Sequence, residues 1–386
     1  MLSAVVGHSE ETDAAAVADE LLEQSHARLG GTAPRAAALF AAIDFDHQVL
    51  LDAINDRYPE MELIGCTTDG EISSELGFRE DSATLILFAS DSVDITAGIG
   101  RGLSQDVVAA CRSAVEEAKR KTQQPPRLCL AAPDGLTAEG QSITATLQRE
   151  LGRDVPLFGA LAGDQLRLQS TRQFYGTEVL QDSVPVLLFS GDFKFSHGVA
   201  TGWKRVGEPG QVTRASGAVV HEINGSPAIE FYRKYLGAGS KPTVELPLAI
   251  LTGSNEVEYL RTSWGEVDEA TGAVTFLGAF PADARISLTV ADRDSILNGC
   301  SQSLAIAKAN LPAGAEPAAA LVFSCTARKL ILGTRTGEEL KLLRGVLGDA
   351  VAVCGFYGYG EICPEAGHGT TSKYHNESFV TLILAD

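Results

Sequence analysis

Cysteine and histidine offer this sequence its most distinctive chemistry, so their number and spacing set the first limits. The seven cysteines, Cys66, Cys111, Cys129, Cys300, Cys325, Cys354 and Cys363, are scattered and include no CxxC pair. Tetrahedral zinc sites usually draw ligands from close pairs, so a zinc knuckle is not expected, and in a reducing compartment these would be free thiols. The seven histidines, His8, His26, His47, His197, His221, His368 and His375, form no HxH, HxxxH or HExxH pair. That spacing argues against a structural or catalytic metal. Haem needs only one proximal histidine. His197, His221 and His375 stand in the segments richest in motifs and are the candidates for that role, although no CxxCH would attach haem covalently. For each, the more frequent alternative is a hydrogen-bonded structural or surface histidine.

Cys66 follows Gly65 at the end of a strand-like run, with Thr67, Thr68, Asp69 and Glu71 next. As a nucleophile it would need a histidine and an oxyanion site from elsewhere in the chain. The alternatives are a small buried thiol and a thiol that touches a ligand. Tyr357 and Tyr359 flank Gly358, and such a turn either stacks on a ligand or packs an interface. The segment Gly98–Gly102 (GIGRG) lacks the Lys-Ser/Thr of a phosphate loop and the full dinucleotide spacing, so nucleotide binding is not expected.

A repeated pattern positions these residues. Copy one runs from the apolar stretch Ala36–Ile43 through an amphipathic segment to Leu63–Glu71, then Asp81-Ser82 and Ala83–Phe88. Copy two runs from Leu128–Ala132 to Leu157–Asp164, then Asp182-Ser183 and Val184–Phe189. Copy three runs from Ala318–Cys325 to Val353–Glu361, then Glu377-Ser378 and Phe379–Leu384. Each reads strand, helix, strand, glycine-acidic turn, loop, acidic-Ser, strand. A strand–helix–strand passage favours a right-handed parallel crossover. The turn acids Glu71, Asp164 and Glu361 either cap neighbouring N–H groups or converge on a pocket, since strand ends in α/β sheets are where ligands bind. Arg285–Asp292 suggests the end of a degenerate fourth copy. Asp268–Gly272 reads as a hairpin turn between strands at Val257–Glu266 and Ala273–Phe276. Ser104 is placed to cap a helix carrying Val107, Cys111, Val115 and Ala118.

The 386 residues carry 31 Lys+Arg and 50 Asp+Glu, a formal charge of 31 − 50 = −19, with 45% apolar residues. This is a globular composition long enough for two domains. Its charge would repel a nucleic-acid backbone and an anionic membrane alike. Residues 1–11 do not read as a signal peptide and no apolar run approaches a bilayer span, so a cytoplasmic protein without membrane insertion is expected. The fold class expected is α/β or α+β: two domains with mixed sheets built from about three related strand–helix–strand units.

Several motifs resemble one family. Ile64–Glu71 (IGCTTDGE) followed by Glu80-Asp81-Ser82, and Phe195–Trp203 (FSHGVATGW), resemble the FIST amino-terminal domain. Val219–Ala228 (VVHEINGSPA) resembles the start of the FIST carboxy-terminal domain, and Gly358–Pro364 (GYGEICP) with His375-Asn376 resembles its close. The resemblance implies domains at 1–214 and 215–386. It implies a non-catalytic signal-transduction sensor that binds an amino acid or similar metabolite and signals through a separate partner, such as a histidine kinase or a cyclic-dinucleotide enzyme. The ligand site it suggests comprises Cys66, Thr67, Thr68, Asp69, Glu71, Asp164, Tyr357, Tyr359, Glu361 and Asn376. No cofactor is expected on this reading. A branch of similar proteins binds haem and senses nitric oxide, which keeps a haem sensor as one alternative and a thiol enzyme using Cys66 as another.

Overall fold

The computed structural model describes residues 2–365 and 370–386, so His368 lies outside the described residues. Three repeats share one topology. In the first, strands Ala36–Ala41 and Glu62–Thr67 pair in parallel across the helix His47–Arg57. Strand Ala83–Ser90 adds antiparallel to Ala36–Ala41, and Leu2–Ser9 pairs with it from outside. The second repeat builds the same sheet from Val93–Arg101, Pro126–Ala131, Leu157–Ala160 and Ser183–Gly191. The third builds it from Lys194–Ala200, Pro317–Cys325, Ala352–Gly358 and Phe379–Ala385. The expected mixed α/β class and its three strand–helix–strand units are therefore present.

Each repeat also hands a short hairpin to another. Glu71–Ser73 and Gly77–Arg79, from the first, extend the third repeat's sheet beside Ala352–Gly358. Glu361–Pro364 and Ser372–His375, from the third, extend the second repeat's sheet beside Leu157–Ala160. Gln173–Tyr175 and Glu178–Leu180, from the second, extend the first repeat's sheet beside Glu62–Thr67. The exchange is cyclic, and it closes the three repeats into one body.

The inner faces of the three sheets meet in a common core that includes Phe40, Phe88, Phe158, Phe189, Phe323 and Phe356. Helices cover the outer faces, and each repeat has its own cluster there. Strands covered on both sides need continuous apolar runs rather than alternation, which is what the sequence supplies. The recurring strand glycines follow from close backbone approach. A Cβ at Gly65, Gly159 or Gly355 would lie 2.0, 1.9 or 1.9 Å from the carbonyl oxygen of Leu39, Ala131 or Val322. No side chain fits there. The GIGRG segment has a similar explanation: Gly98 and Gly100 press against the carbonyls of Ala114 and Ala110 in the helix Val107–Arg120.

An antiparallel unit is inserted into the third repeat, between its outer strand Lys194–Ala200 and the helix Arg293–Ala309. It contains Lys204–Ser216, Val219–Ile223, Leu248–Leu251, Val257–Arg261 and Arg285–Val290, with the helix Ala228–Leu236 and its own core. Three expectations change here. Arg285–Val290 pairs with Lys204–Gln211 and closes the insert, so it is not the end of a fourth repeat. The expected division at 214/215 cuts through the strand Lys204–Ser216. The Asp268–Gly272 turn closes a short hairpin, with Val267 bridging Val274 and Thr275 N–H reaching Glu266 O at 3.0 Å, but Val257–Arg261 pairs with Leu248–Leu251 and Val274–Thr275 also with Val219–Val220, so the hairpin does not extend to Val257. In the second repeat Asp106, not Ser104, accepts from Ala109 N–H and caps the helix; the Ser104 hydroxyl donates to Asp182.

Candidate functional site

The three glycine-acidic turns meet at one end of the ring. Gly163 N–H donates to Thr67 O at 2.9 Å, Asp69 N–H to Tyr357 O at 2.9 Å, and Leu161 N–H to Gly360 O at 2.9 Å. Each of these three links crosses between repeats. The structure thus brings Cys66, Thr67, Thr68, Asp69, Glu71, Asp164, Tyr357, Tyr359 and Glu361 together, mostly as a sealed plug.

Within it one side-chain pair recurs. Ser82 donates to Glu71, Ser183 to Gln173 at 3.1 Å, and Ser378 to Glu361 at 2.7 Å. The residue before each serine, Asp81, Asp182 or Glu377, has a positive φ of 51°, 50° or 61°. Short polar side chains tolerate this left-handed turn best, which accounts for Asp81 and Asp182, whereas Glu377 accepts from the Thr262 hydroxyl. Burial pushes Glu71, Glu361 and Glu377 up to about 8. All three carboxyls are therefore mainly protonated at neutral pH, and the second repeat places a neutral Gln173 in the equivalent position.

The remaining predicted residues divide by direction. Cys66 belongs to the shared core, and burial followed by the nearby Glu71 raises its thiol well above its ordinary value. A nucleophile must be ionised and reachable, and this thiol is neither. Tyr357 faces the helix layer, where its hydroxyl donates to Glu339, itself paired with the fully buried Arg328 at 2.7 Å. Tyr359 points the other way. Its hydroxyl donates to Asp164 and accepts from Leu166 N–H at 2.9 Å. Burial works to raise Asp164, yet the Tyr359 hydroxyl and the N–H groups of Gln169, Ser170 and Leu168 outweigh it, leaving this carboxyl below its ordinary value. Burial raises Asp69.

The histidines also separate. His221 sits at the surface of the insert, 3.0 Å from Ser216 Oγ. His375 Nε2 is 3.1 Å from Cys363 O, and burial lowers its pKa to about 4. It lines a cavity of about 690 Å³ on one side of the insert. His197 packs edge-on to Phe158, and its buried Nε2 has no partner among the described residues.

A second cavity, of about 550 Å³, opens beside the plug. The second repeat contributes Leu136, Gln141 and Leu161 to its wall. The third contributes Cys325, Thr326, Tyr359, Tyr374 and Asn376, and the insert contributes Thr262, Trp264, Phe276 and Leu277. Of the predicted residues it takes Tyr359 and Asn376. Asn376 is buried, and its Oδ1 has no partner among the described residues. Beside this cavity the insert is fastened to the ring. Arg261 reaches Tyr374 O at 3.2 Å and Gln141 Oε1 at 3.3 Å, while Thr262 donates to Glu377. Sequence reasoning missed the wall contributed by the insert, because nothing in its sequence says where it docks. The loop 133–140 was accessible in principle, since it follows a parallel strand's carboxyl end.

The FIST N domain model matches residues 35–226 and the FIST C domain model residues 228–364. The chain belongs to the FIST family. FIST domains are associated with signal-transduction sensing. The boundary between the two FIST models falls inside the inserted unit, so the ring of sheets is shared between both. An uncharacterised protein of Mycobacterium tuberculosis is 24% identical over 376 residues, covering 94% of this FIST chain and 95% of the relative. An uncharacterised protein of Mycobacterium bovis is 23% identical over 384 residues, covering 95% and 97%. Among solved structures, a cyanuric acid hydrolase from A. caulinodans aligns with a TM-score of 0.40 at 10% identity, covering 100% of this chain and 99% of that one. A chorismatase aligns with a TM-score of 0.35 at 8% identity, covering 99% of both chains. Neither likeness bears on chemistry.

Proposed function

We propose that this FIST chain is a non-catalytic small-ligand sensor whose ligand occupies the 550 Å³ cavity between the ring and the insert. The observation that carries the reading is the cavity itself, walled jointly by the second repeat, the third repeat and the insert, with the buried Asn376 among its lining residues. A concave, mostly apolar pocket with a few polar groups, set where structural units meet, is the usual form of a small-molecule site. The same wall adjoins the Arg261 and Thr262 contacts, so a ligand that prefers one packing of insert on ring shifts the balance between packings. A cytoplasmic partner, such as a histidine kinase or cyclic-dinucleotide enzyme, would read the altered surface.

A thermal-shift screen of the full chain tests this, beginning with amino acids and similar metabolites. A true ligand raises the melting midpoint, and Asn376→Ala removes the rise. A rise that survives both Asn376→Ala and Trp264→Ala places the ligand elsewhere. One observation favours haem as a second reading, the unpartnered His197 Nε2, although neither cavity described above includes His197 in its wall. A Soret band lost in His197→Ala would support it.

A further inference from the structure

We propose that the cavity ligand is an uncharged molecule with an extended apolar or aromatic body and a single hydrogen-bond donor near its inner end. This rests on the cavity being the ligand site. The argument starts from charge. Among the described lining residues only Glu139 is charged, and it stands at the helix start Gly140–Leu151. Arg261 lies behind the wall and is already committed to the carbonyls of Leu260 and Tyr374 and to Gln141. Glu361 and Glu377 behind the third repeat's wall are mainly neutral. An ionised carboxylate entering here would leave water without gaining a partner, and an ammonium would find only the exposed Glu139.

The donor follows from Asn376 in the wall, whose covered and unpartnered Oδ1 accepts one N–H or O–H once its side chain turns toward the cavity. The apolar body follows from the mouth. Leu168, Trp264, Leu136 and Leu277 are 52%, 41%, 37% and 36% exposed, and all four line this one cavity. Two come from the ring and two from the insert. Such a concentration of exposed apolar side chains marks a binding surface. It places apolar contacts along the whole depth of the cavity, from Leu161 and Phe276 outward.

Two probes with one skeleton separate the possibilities. N-phenyl-1-naphthylamine is uncharged, aromatic and carries one N–H. 8-Anilino-1-naphthalenesulfonate adds a sulfonate. Titrated into the full chain, the amine should give a saturable fluorescence rise, and the sulfonate should bind about tenfold or more weakly. Leu168→Glu and Trp264→Glu, both at exposed positions, should weaken the amine by a similar factor while leaving the melting midpoint of the free protein in place. Equal or tighter binding of the sulfonate overturns the proposal. So does a free amino acid whose thermal shift depends on Asn376 while the amine fails to compete; in that case the cavity remains the sensor site with a charged ligand. If neither neutral nor charged compounds respond to the two mouth variants, the cavity reading itself falls.

Discussion

The hydroxyl of Ser378 donates to Glu361 Oε2 at 2.7 Å, and the Ser378 N–H reaches the same oxygen at 3.0 Å. One carboxyl oxygen is thus doubly held, while Oε1 is buried without a partner among the described residues. Both donors favour the ionised form, yet burial outweighs them and raises the Glu361 pKa, as it does for Glu71 and Glu377.

Stability should therefore depend on pH in a defined direction. A carboxyl near 8 when folded and near 4.5 when unfolded binds its proton more tightly in the folded chain. Its contribution is fully present below about 4.5 and is lost as pH rises through about 8. Denaturant midpoints measured from pH 5 to 9 should fall progressively. Glu361→Gln, which copies Gln173, should flatten the slope and exceed the parent at pH 9 by on the order of 1 kcal/mol or more. A midpoint that rises over this range refutes the assignment.

The two tyrosines around Gly358 should behave differently. Tyr357→Phe leaves Glu339 Oε2 without its donor and should cost about 1–3 kcal/mol in unfolding free energy, with ligand affinity unchanged. Tyr359→Phe frees Asp164 beside the cavity and should alter ligand affinity. Equilibrium unfolding and ligand titration of both variants separate these roles.

Phe356 tests the shared core. Its ring lies 4.5 Å from Phe40 and 5.6 Å from Phe323. Phe356→Ala should cost about 3–5 kcal/mol, in a single unfolding transition because the lost contacts join the first and third sheets within a core common to all three. Two resolved transitions would show that the repeats melt apart.

Thiol labelling tests the cavity's accessibility. Cys325 lies in its wall, whereas Cys66 is sealed in the core. A small neutral reagent such as methyl methanethiosulfonate should modify Cys325 first and slowly, because burial raises its thiol pKa well above normal. Bound ligand should protect it. Mass spectrometry that finds Cys66 modified first would contradict the geometry.

The clamp can be tested by proteolysis. Arg261→Ala removes the bonds to Tyr374 and Gln141 and should loosen the insert. Cleavage at 200–204 and 290–293 should then quicken by on the order of tenfold if opening precedes cutting. An unchanged rate would mean that the insert is held elsewhere.

Much of this architecture is legible in the sequence for a physical reason. Gly65, Gly159 and Gly355 recur because each faces a neighbouring carbonyl, and Ser82, Ser183 and Ser378 recur because each meets a Glu or Gln. Local constraints of this kind leave local signatures. The hairpin exchange does not, since Glu71–Ser73 carries nothing to show which sheet edge accepts it. Tyr357 and Tyr359 misled for a related reason. A strand period of two would put both on one face, but the strand ends at Gly358 and Tyr359 turns away. Asn376 was legible as a residue, whereas its companions Trp264 and Phe276 depended on the docking of the insert.

The cyclic exchange has a consequence during synthesis. The hairpin Glu71–Arg79 leaves the ribosome early, but its acceptor strand Ala352–Gly358 emerges near the end. The first two repeats must wait with unpaired strand edges, which are templates for aggregation. Ribosome-arrested chains ending before 352 should therefore lean on chaperones and precipitate on release, whereas the finished chain closes its last edges together.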